Sequence, residues 1–119
     1  MADEFTLTPQ PVRLTAATSQ QLKDALDVSA YDRADVLLWV AAIEGTASPT
    51  ATVRILTGMQ VESENGWVVA GTFTAVTASN TALALAITGL LKYMRWELSV
   101  LGGTGPSVTF VVSGMLRDT

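Results

Sequence analysis

The side chains in this sequence that come nearest to a catalytic pair are two glutamates, Glu62 and Glu64. If both lie in one strand, they share a face and stand about 7 Å apart, because each strand residue rises about 3.3 Å. Two carboxylates at such a separation can act as acid and base in glycoside hydrolysis. Alternatively, they flank an exposed turn, since Asn65-Gly66 follows them and favours a tight turn with φ > 0. We favour the turn, because no pocket-forming sequence and no basic partner accompanies the pair, and we expect the protein not to be an enzyme.

Three aspartates, Asp27, Asp32 and Asp35, offer oxygen ligands of the kind that calcium accepts. Their spacing matches no EF-hand loop, and Asp residues at turns usually hydrogen-bond the neighbouring backbone. We therefore expect no metal and no cofactor, and leave open whether calcium binds near these residues. The chain has no cysteine and no histidine, which excludes disulfides, Cys/His zinc sites and catalysis by either side chain.

The three tryptophans are the remaining candidates for a binding site, because an exposed aromatic ring can stack on a ligand. Trp39 and Trp96 lie in apolar strand patterns, so we predict both in the core. Trp67 directly follows the Asn65-Gly66 turn. It is therefore the predicted surface aromatic.

Composition indicates one folded domain, since 49% of the 119 residues are hydrophobic and 15% are charged. The net charge is −4 and the seven Lys and Arg residues are scattered, so we expect no nucleic-acid partner. The first ten residues lack a signal-peptide pattern. The longest apolar run, residues 36–43, is far shorter than the ~20 residues of a membrane helix. These features predict synthesis in the cytoplasm, no membrane partner, and a surface partly covered by another protein.

The elements that position these residues are strands. Met94, Trp96, Leu98 and Val100 share one parity, whereas Arg95, Glu97 and Ser99 take the other, which is the period of a half-buried strand. Glycines and a proline interrupt the run at residues 102–106, and a second alternating strand follows. The pattern predicts an antiparallel hairpin over residues 90–116, with Trp96 in the core and Arg95 on the opposite face.

Residues 36–59 resemble that unit: a strand, a Gly-Thr-x-Ser-Pro segment and a second strand. Trp39 and Trp96 are 57 positions apart, and Thr46 and Thr104 are 58 positions apart. Nearly constant offsets suggest two related hairpins whose turns lie at the same end of the fold. The alternative is that two unrelated hairpins use similar turn chemistry.

Residues 1–18 are predicted to be extended, either as an N-terminal arm on a neighbouring subunit or as an edge strand. Prolines forbid a helix there and fit both alternatives. This segment and the surface aromatic provide the candidate partner-binding residues: Phe5, Leu7, Pro9, Pro11, Val12 and Trp67.

The rest of the chain completes an all-β prediction. Residues 19–29 read as a short helical turn or an irregular crossover, and residues 36–43, apolar on both faces, as a central strand covered on both sides. Residues 67–73 and 81–87 read as further strands, the last with Leu inward and Ala outward. We predict an antiparallel β-sandwich over residues 19–119, jelly-roll-like, with about eight strands and at most one short helix.

Four motifs add a resemblance that covers residues 30–116. They are YDRADVLLWV, GTASPTATVRILTGMQ, Trp67 followed by GTFTAVTA, and GLLKYMRWELSVLGGTGPSVTF. Together they resemble small virion proteins of tailed bacteriophages, in which a Gly-Thr-(Ser)-Pro turn precedes a Thr-rich strand and a Tyr-x-Arg strand leads into the last hairpin. The resemblance implies a structural protein, and no catalytic residue is carried over.

The function expected from this resemblance is that of a head decoration, or cement, protein that binds and stabilises a phage capsid. Its partner would be the major capsid protein, its place the capsid surface of the virion, and its state a homo-oligomer, either a dimer or a trimer. The alternative is a tail or fibre module that binds a host glycan, for which an exposed Trp67 beside acidic residues would be the sign.

Overall fold

The structure, a computed structural model, describes residues 2–118. Met1 and Thr119, the outer ends of the predicted arm and of the predicted sandwich region, lie outside the described residues. One 3₁₀ turn, Leu22–Asp24, is the helical element of this range, as predicted for residues 19–29. The remaining elements are eight strands, which confirms the all-β class: β1 (Ala2–Thr6), β2 (Val12–Leu14), β3 (Thr18–Ser19), β4 (Leu26–Asp27), β5 (Arg33–Gly58), β6 (Val68–Thr72), β7 (Thr81–Thr88) and β8 (Tyr93–Arg117).

Two long strands form the spine of the fold. β5 has 26 residues and β8 has 25, and they pair antiparallel from Arg33 opposite Arg117 to Gly58 opposite Tyr93. The predicted hairpins over residues 36–59 and 90–116 are therefore wrong, because the two strands of each segment do not pair with each other. Each apolar run pairs with the other long strand.

The two Gly-Pro segments, residues 45–49 and 102–106, lie together at the middle of this spine. Thr46 is opposite Thr104, and the register shifts on both sides of Thr46. Gly103 has a φ of +112°, and a Cβ there would lie 3.0 Å from the Cα of Pro49. The contact is reciprocal, since a Cβ on Gly45 would lie 3.1 Å from the Cα of Pro106. The two segments thus meet, as the repeat predicts, but as paired irregularities within long strands.

Shorter strands complete the sheet on both sides of the spine. β7 pairs with the first part of β5 and β6 with its second part, while β1 to β4 pair in turn along the free edge of β8. We call one half of the sheet half-sheet one: β7, residues 33–44 of β5, residues 107–117 of β8, β1 and β2. The other, half-sheet two, is β6, residues 50–58 of β5, residues 93–101 of β8, β3 and β4.

The sheet curls until the inner faces of the two halves meet. Trp96 and Phe110 are both in β8, and an extended strand would separate them by about 46 Å. Their ring centroids are 5.2 Å apart in an edge-to-face contact, so β8 turns back over itself. Trp96 is 6% exposed and Phe110 fully buried, which confirms Trp96 as a core residue. One continuous eight-stranded sheet therefore encloses the core.

The structure overturns two predictions about residues 36–43 and the burial of their side chains. Residues 36–43 are central in the hydrogen-bond ladder, but Leu37 is 44% exposed and Trp39 40% exposed. The prediction of a strand covered on both faces is wrong, and so is the core position of Trp39, because within residues 2–118 no layer packs on that outer face.

The N-terminal segment supplies β1 and β2, which pair with β8 of the same chain. No helix in the described part of the chain has the length and apolarity needed to cross a membrane.

Candidate docking face

Glu62 and Glu64, the candidate catalytic pair, have different surroundings, because only Glu64 forms an ion pair with Arg95. Residues 59–67 form an irregular loop, with Gly66 at a φ of +83° as the Asn65-Gly66 signal predicts. Glu64 receives hydrogen bonds from both terminal nitrogens of Arg95, at 2.5 and 3.3 Å, whereas Glu62 is exposed. The Arg95 bonds hold the pKa of the Glu64 carboxyl below its ordinary value. Glu62 is solvated, as the turn interpretation predicts, but the expectation that no basic partner accompanies the pair is wrong, because Arg95 binds Glu64.

The three aspartates also have separate neighbours. Asp27 accepts hydrogen bonds from the hydroxyl and the N–H of Ser29, at 2.7 and 2.9 Å, which lower its pKa. Asp35 accepts a 2.6 Å bond from Nε of Arg117. Across residues 2–118, no group of three or more His, Cys, Asp or Glu side chains is placed to hold a metal ion.

Arg95 is a buried charged residue whose surroundings the sequence does not reveal. Strand parity correctly places it opposite Trp96, but it is only 2% exposed. Its guanidinium lies 4.5 Å from the ring centroid of Trp67 and donates a 2.8 Å bond to the carbonyl of Gln20. The 59–67 loop folds over this part of half-sheet two. These contacts of Arg95 therefore hold the 59–67 loop and the chain at Gln20 against β8.

Trp67, the predicted surface aromatic, is part of this arrangement. Trp67 is half-buried, and its indole nitrogen donates a 3.1 Å bond to the carbonyl of Ser63. A Cβ on Gly58 would lie 2.7 Å from the Trp67 ring, so the ring lies directly on β5. Its contacts are with its own chain.

The exposed aromatic is Trp39, on the outer face of half-sheet one. It pairs with Ala82 of β7 on one side and with Val111 of β8 on the other, and in the next row Leu37 pairs with Ala84. The alanines are exposed and Val111 is half-buried. We call this surface the apolar outer face: Leu37, Trp39, Ala82, Ala84 and Val111.

Polar groups frame the apolar outer face. The indole nitrogen of Trp39 donates a 3.3 Å hydrogen bond to Oδ1 of Asn80, which orients the ring against the sheet. At the other end, the Asp35–Arg117 ion pair follows the row of Leu37. A flat apolar centre with a polar border is the layout of a protein-binding patch.

Comparison of the two halves shows that this face is not a requirement of the fold. The buried positions Val36, Leu38 and Val40 correspond to Met94, Trp96 and Leu98, each 58 residues later. With the same offset, Leu37 corresponds to Arg95 and Trp39 to Glu97. The match of Trp39 with Trp96 at 57 positions is therefore wrong, since Trp39 is exposed and Trp96 is buried. In half-sheet two these outer positions carry ion pairs, to Glu64 and to Arg54 respectively. At these two positions half-sheet two is therefore charged and loop-covered where half-sheet one is apolar and open, although half-sheet two also exposes Val68, Val69 and Val100.

The predicted partner-binding residues of the N-terminal segment are placed in two ways. Phe5 and Leu7 are 7% and 4% exposed and belong to the core, so their side chains contact this chain. Pro9 and Pro11 are exposed and Val12 is half-buried. Leu7, Pro9 and Val12 line a cleft between β2 and β3 that Trp96 closes at its base. Of the predicted partner-binding residues, Leu7, Pro9 and Val12 therefore come together in one cleft, and Trp67 lies elsewhere.

Comparison with known proteins returns no matching family model, no matching curated protein and no matching solved structure.

Proposed function

We propose that this protein is a virion structural protein of a tailed bacteriophage, a decoration or cement protein that binds the outside of the capsid and stabilises it. The observation that supports this function best is the apolar outer face, an open patch around Trp39 and Leu37 on a paired two-strand spine. The partner is the major capsid protein, in keeping with the motifs that resemble small phage virion proteins.

The size of the patch fits a contact repeated over a lattice. Trp39 is 40% exposed, which leaves about 100 Å² of its surface in water and about 2.5 kcal/mol to gain on complete burial. Leu37 and the alanines add to this, but a patch of five side chains on three strands is smaller than a standard stable interface of about 800 Å² per partner. A contact of this strength suits a protein that binds many equivalent capsid sites and holds neighbouring subunits together.

The second function, glycan binding by a tail or fibre module, has a different structural basis from the one the sequence suggests. Trp67 stacks with Arg95, so its ring is occupied, and Trp39 would have to serve as the sugar platform. The border of that platform carries Asn80 and Asp35, whose polar atoms could hydrogen-bond sugar hydroxyls. Binding of a glycan by Trp39, with no affinity for capsids, is therefore the competing outcome.

The test is co-sedimentation with phage particles that lack this protein. We expect the wild-type chain to pellet with the particles and Trp39→Thr to remain in the supernatant. Val100→Thr is the matched control, because Val100 is 47% exposed in half-sheet two and its replacement also removes an exposed apolar side chain from a strand. Retention of wild-type protein in the supernatant, or equal pelleting of Trp39→Thr and the control, would contradict the proposed function.

A further inference from the structure

We infer that β7 is an interaction edge for a second copy of this chain, and that the two β7 strands pair antiparallel about a two-fold axis at Ala84. This inference does not depend on the proposed function. It comes from a comparison of the sheet edges and from the residue pattern of β7.

β7 has one unpaired edge. It pairs with β5 along Thr81–Thr88, from Val40 opposite Thr81 to Arg33 opposite Thr88. Among residues 2–118 no other strand pairs with β7, and no backbone bond outside the β5 ladder involves residues 82–88. An eight-residue row therefore presents free backbone donors and acceptors, which is the template used in β-strand addition.

The other edges carry features that discourage such pairing. β6 has five residues, contains Gly71, and lies opposite a register irregularity of β5 at Ile55/Leu56. The edge formed by β1 and β2 carries Asp3 and Glu4 and is interrupted by Pro9 and Pro11. Short strands, bulges, charges and prolines are the usual protections of a sheet edge. β7, with the sequence TALALAIT, has none of them.

The sequence of β7 is complementary to itself in one antiparallel register. When Ala84 faces Ala84 of the second copy, Ala82 faces Ala86 and Leu83 faces Leu85. Every pair then joins residues of the same face, because alanines point outward and leucines inward in each copy. Cross-strand pairs of matched size are the contacts that stabilise a sheet. A two-fold axis through Ala84 generates all of these pairs at once.

The pairing would also join the two apolar outer faces. Leu37 lies beside Ala84 in the ladder, so the central row would run from Leu37 through two alanines to the second Leu37. Half-sheet one of each copy would then belong to a single layer with a continuous apolar surface. The half-buried Leu83 and Leu85 would gain contacts on the inner side.

The first experiment measures the mass of the wild-type chain by light scattering over a range of concentrations. We expect it to rise with concentration towards roughly 25 kDa, twice the 12.5 kDa of one chain. A chain that stays at 12.5 kDa up to millimolar concentration would overturn the inference.

The register is tested with single cysteines, since the chain has no cysteine of its own. Residues directly opposite in an antiparallel pair have Cβ atoms about 4.5–5.5 Å apart, close to the reach of a disulfide. Under mild oxidation we expect Ala84→Cys to form a covalent dimer, whereas Ala82→Cys alone should not, because its two copies would be about 13 Å apart. A mixture of Ala82→Cys and Ala86→Cys should cross-link again. A dimer that cross-links equally well through Ala82→Cys alone would contradict the two-fold axis at Ala84.

Charge provides an independent check. Ala84→Lys and Ala84→Glu each place like charges opposite each other on the axis, so each variant should dimerise several-fold more weakly than wild type. An equimolar mixture should recover the dimer. Ala84 is exposed, so both variants should retain the wild-type circular dichroism. Undiminished dimerisation of both single variants would place the contact elsewhere.

Discussion

Gln20 joins the N-terminal segment to the spine, and its removal should destabilise the whole domain. The side chain is buried, with 8% exposure. Its amide nitrogen donates bonds to the carbonyls of Leu7 and Asp24, at 3.0 and 3.1 Å. Its amide oxygen accepts a 3.2 Å bond from the N–H of Trp96. Gln20→Ala would leave three backbone groups without these partners.

The expected magnitude follows from the burial of those groups. The bonds to Leu7 and Trp96 are buried, and a buried group that loses its partner costs about 1–3 kcal/mol. The carbonyl of Asp24 is partly accessible, so water can replace the lost bond. The two buried groups together give a loss of about 2–6 kcal/mol for Gln20→Ala, near the lower value if water from the neighbouring cleft reaches Leu7.

The assay is urea unfolding of wild type, Gln20→Ala and Gln21→Ala, followed by tryptophan fluorescence. Gln21 is exposed, so its replacement should change the free energy of unfolding by less than about 0.5 kcal/mol. Equal effects of the two variants would refute the assignment of Gln20 as the link between the N-terminal segment and β8.

Three further predictions concern the core, the N-terminal strands and the buried arginine. Trp96→Ala should lower the free energy of unfolding by about 3–5 kcal/mol; a loss below about 1 kcal/mol in a urea melt would mean that the ring is not in the core. Deleting residues 2–11 removes Phe5 and Leu7, so the variant should lose at least about 3 kcal/mol; a wild-type thermal melt would show that the segment is dispensable. Because Arg95 lowers the pKa of Glu64, their bond stabilises the protein above about pH 4.5 and is lost at lower pH. Glu64→Gln should therefore be less stable than wild type at pH 7, by under about 1 kcal/mol since Glu64 is 67% exposed, and the difference should shrink as the pH falls below about 4.5; a difference independent of pH would contradict this linkage.

Local alternation in the sequence is sufficient to locate the strands and much of the core. The parity of Met94, Trp96 and Leu98 correctly predicts their burial, but the same parity fails for Val100, which is 47% exposed beyond a register shift. The pattern of residues 81–87 correctly predicts β7 with its alanines outward. These predictions succeed because strand period depends on neighbouring residues alone.

Strand partners and coverage depend on residues far apart in the chain, and there the sequence is ambiguous. Gly-Pro segments occur both in reverse turns and in bulges, so residues 45–49 alone cannot distinguish a hairpin from an irregularity in a 26-residue strand. Arg95 is buried by a loop about 30 residues earlier. Trp39 is apolar but uncovered, since apolarity predicts a preference for burial and not the presence of a covering layer.

The stabilising role of the apolar outer face can be measured through the rupture temperature of phage particles that lack this protein. The particles are heated with saturating wild type, Trp39→Thr or Val100→Thr, and genome release is followed with a DNA-binding dye. Docking through Trp39 predicts that wild type and Val100→Thr raise the rupture temperature and that Trp39→Thr leaves it at the value of bare particles. A rupture temperature that wild-type protein does not change, or that Trp39→Thr raises as much as wild type, would contradict the proposal that this face binds and stabilises a capsid.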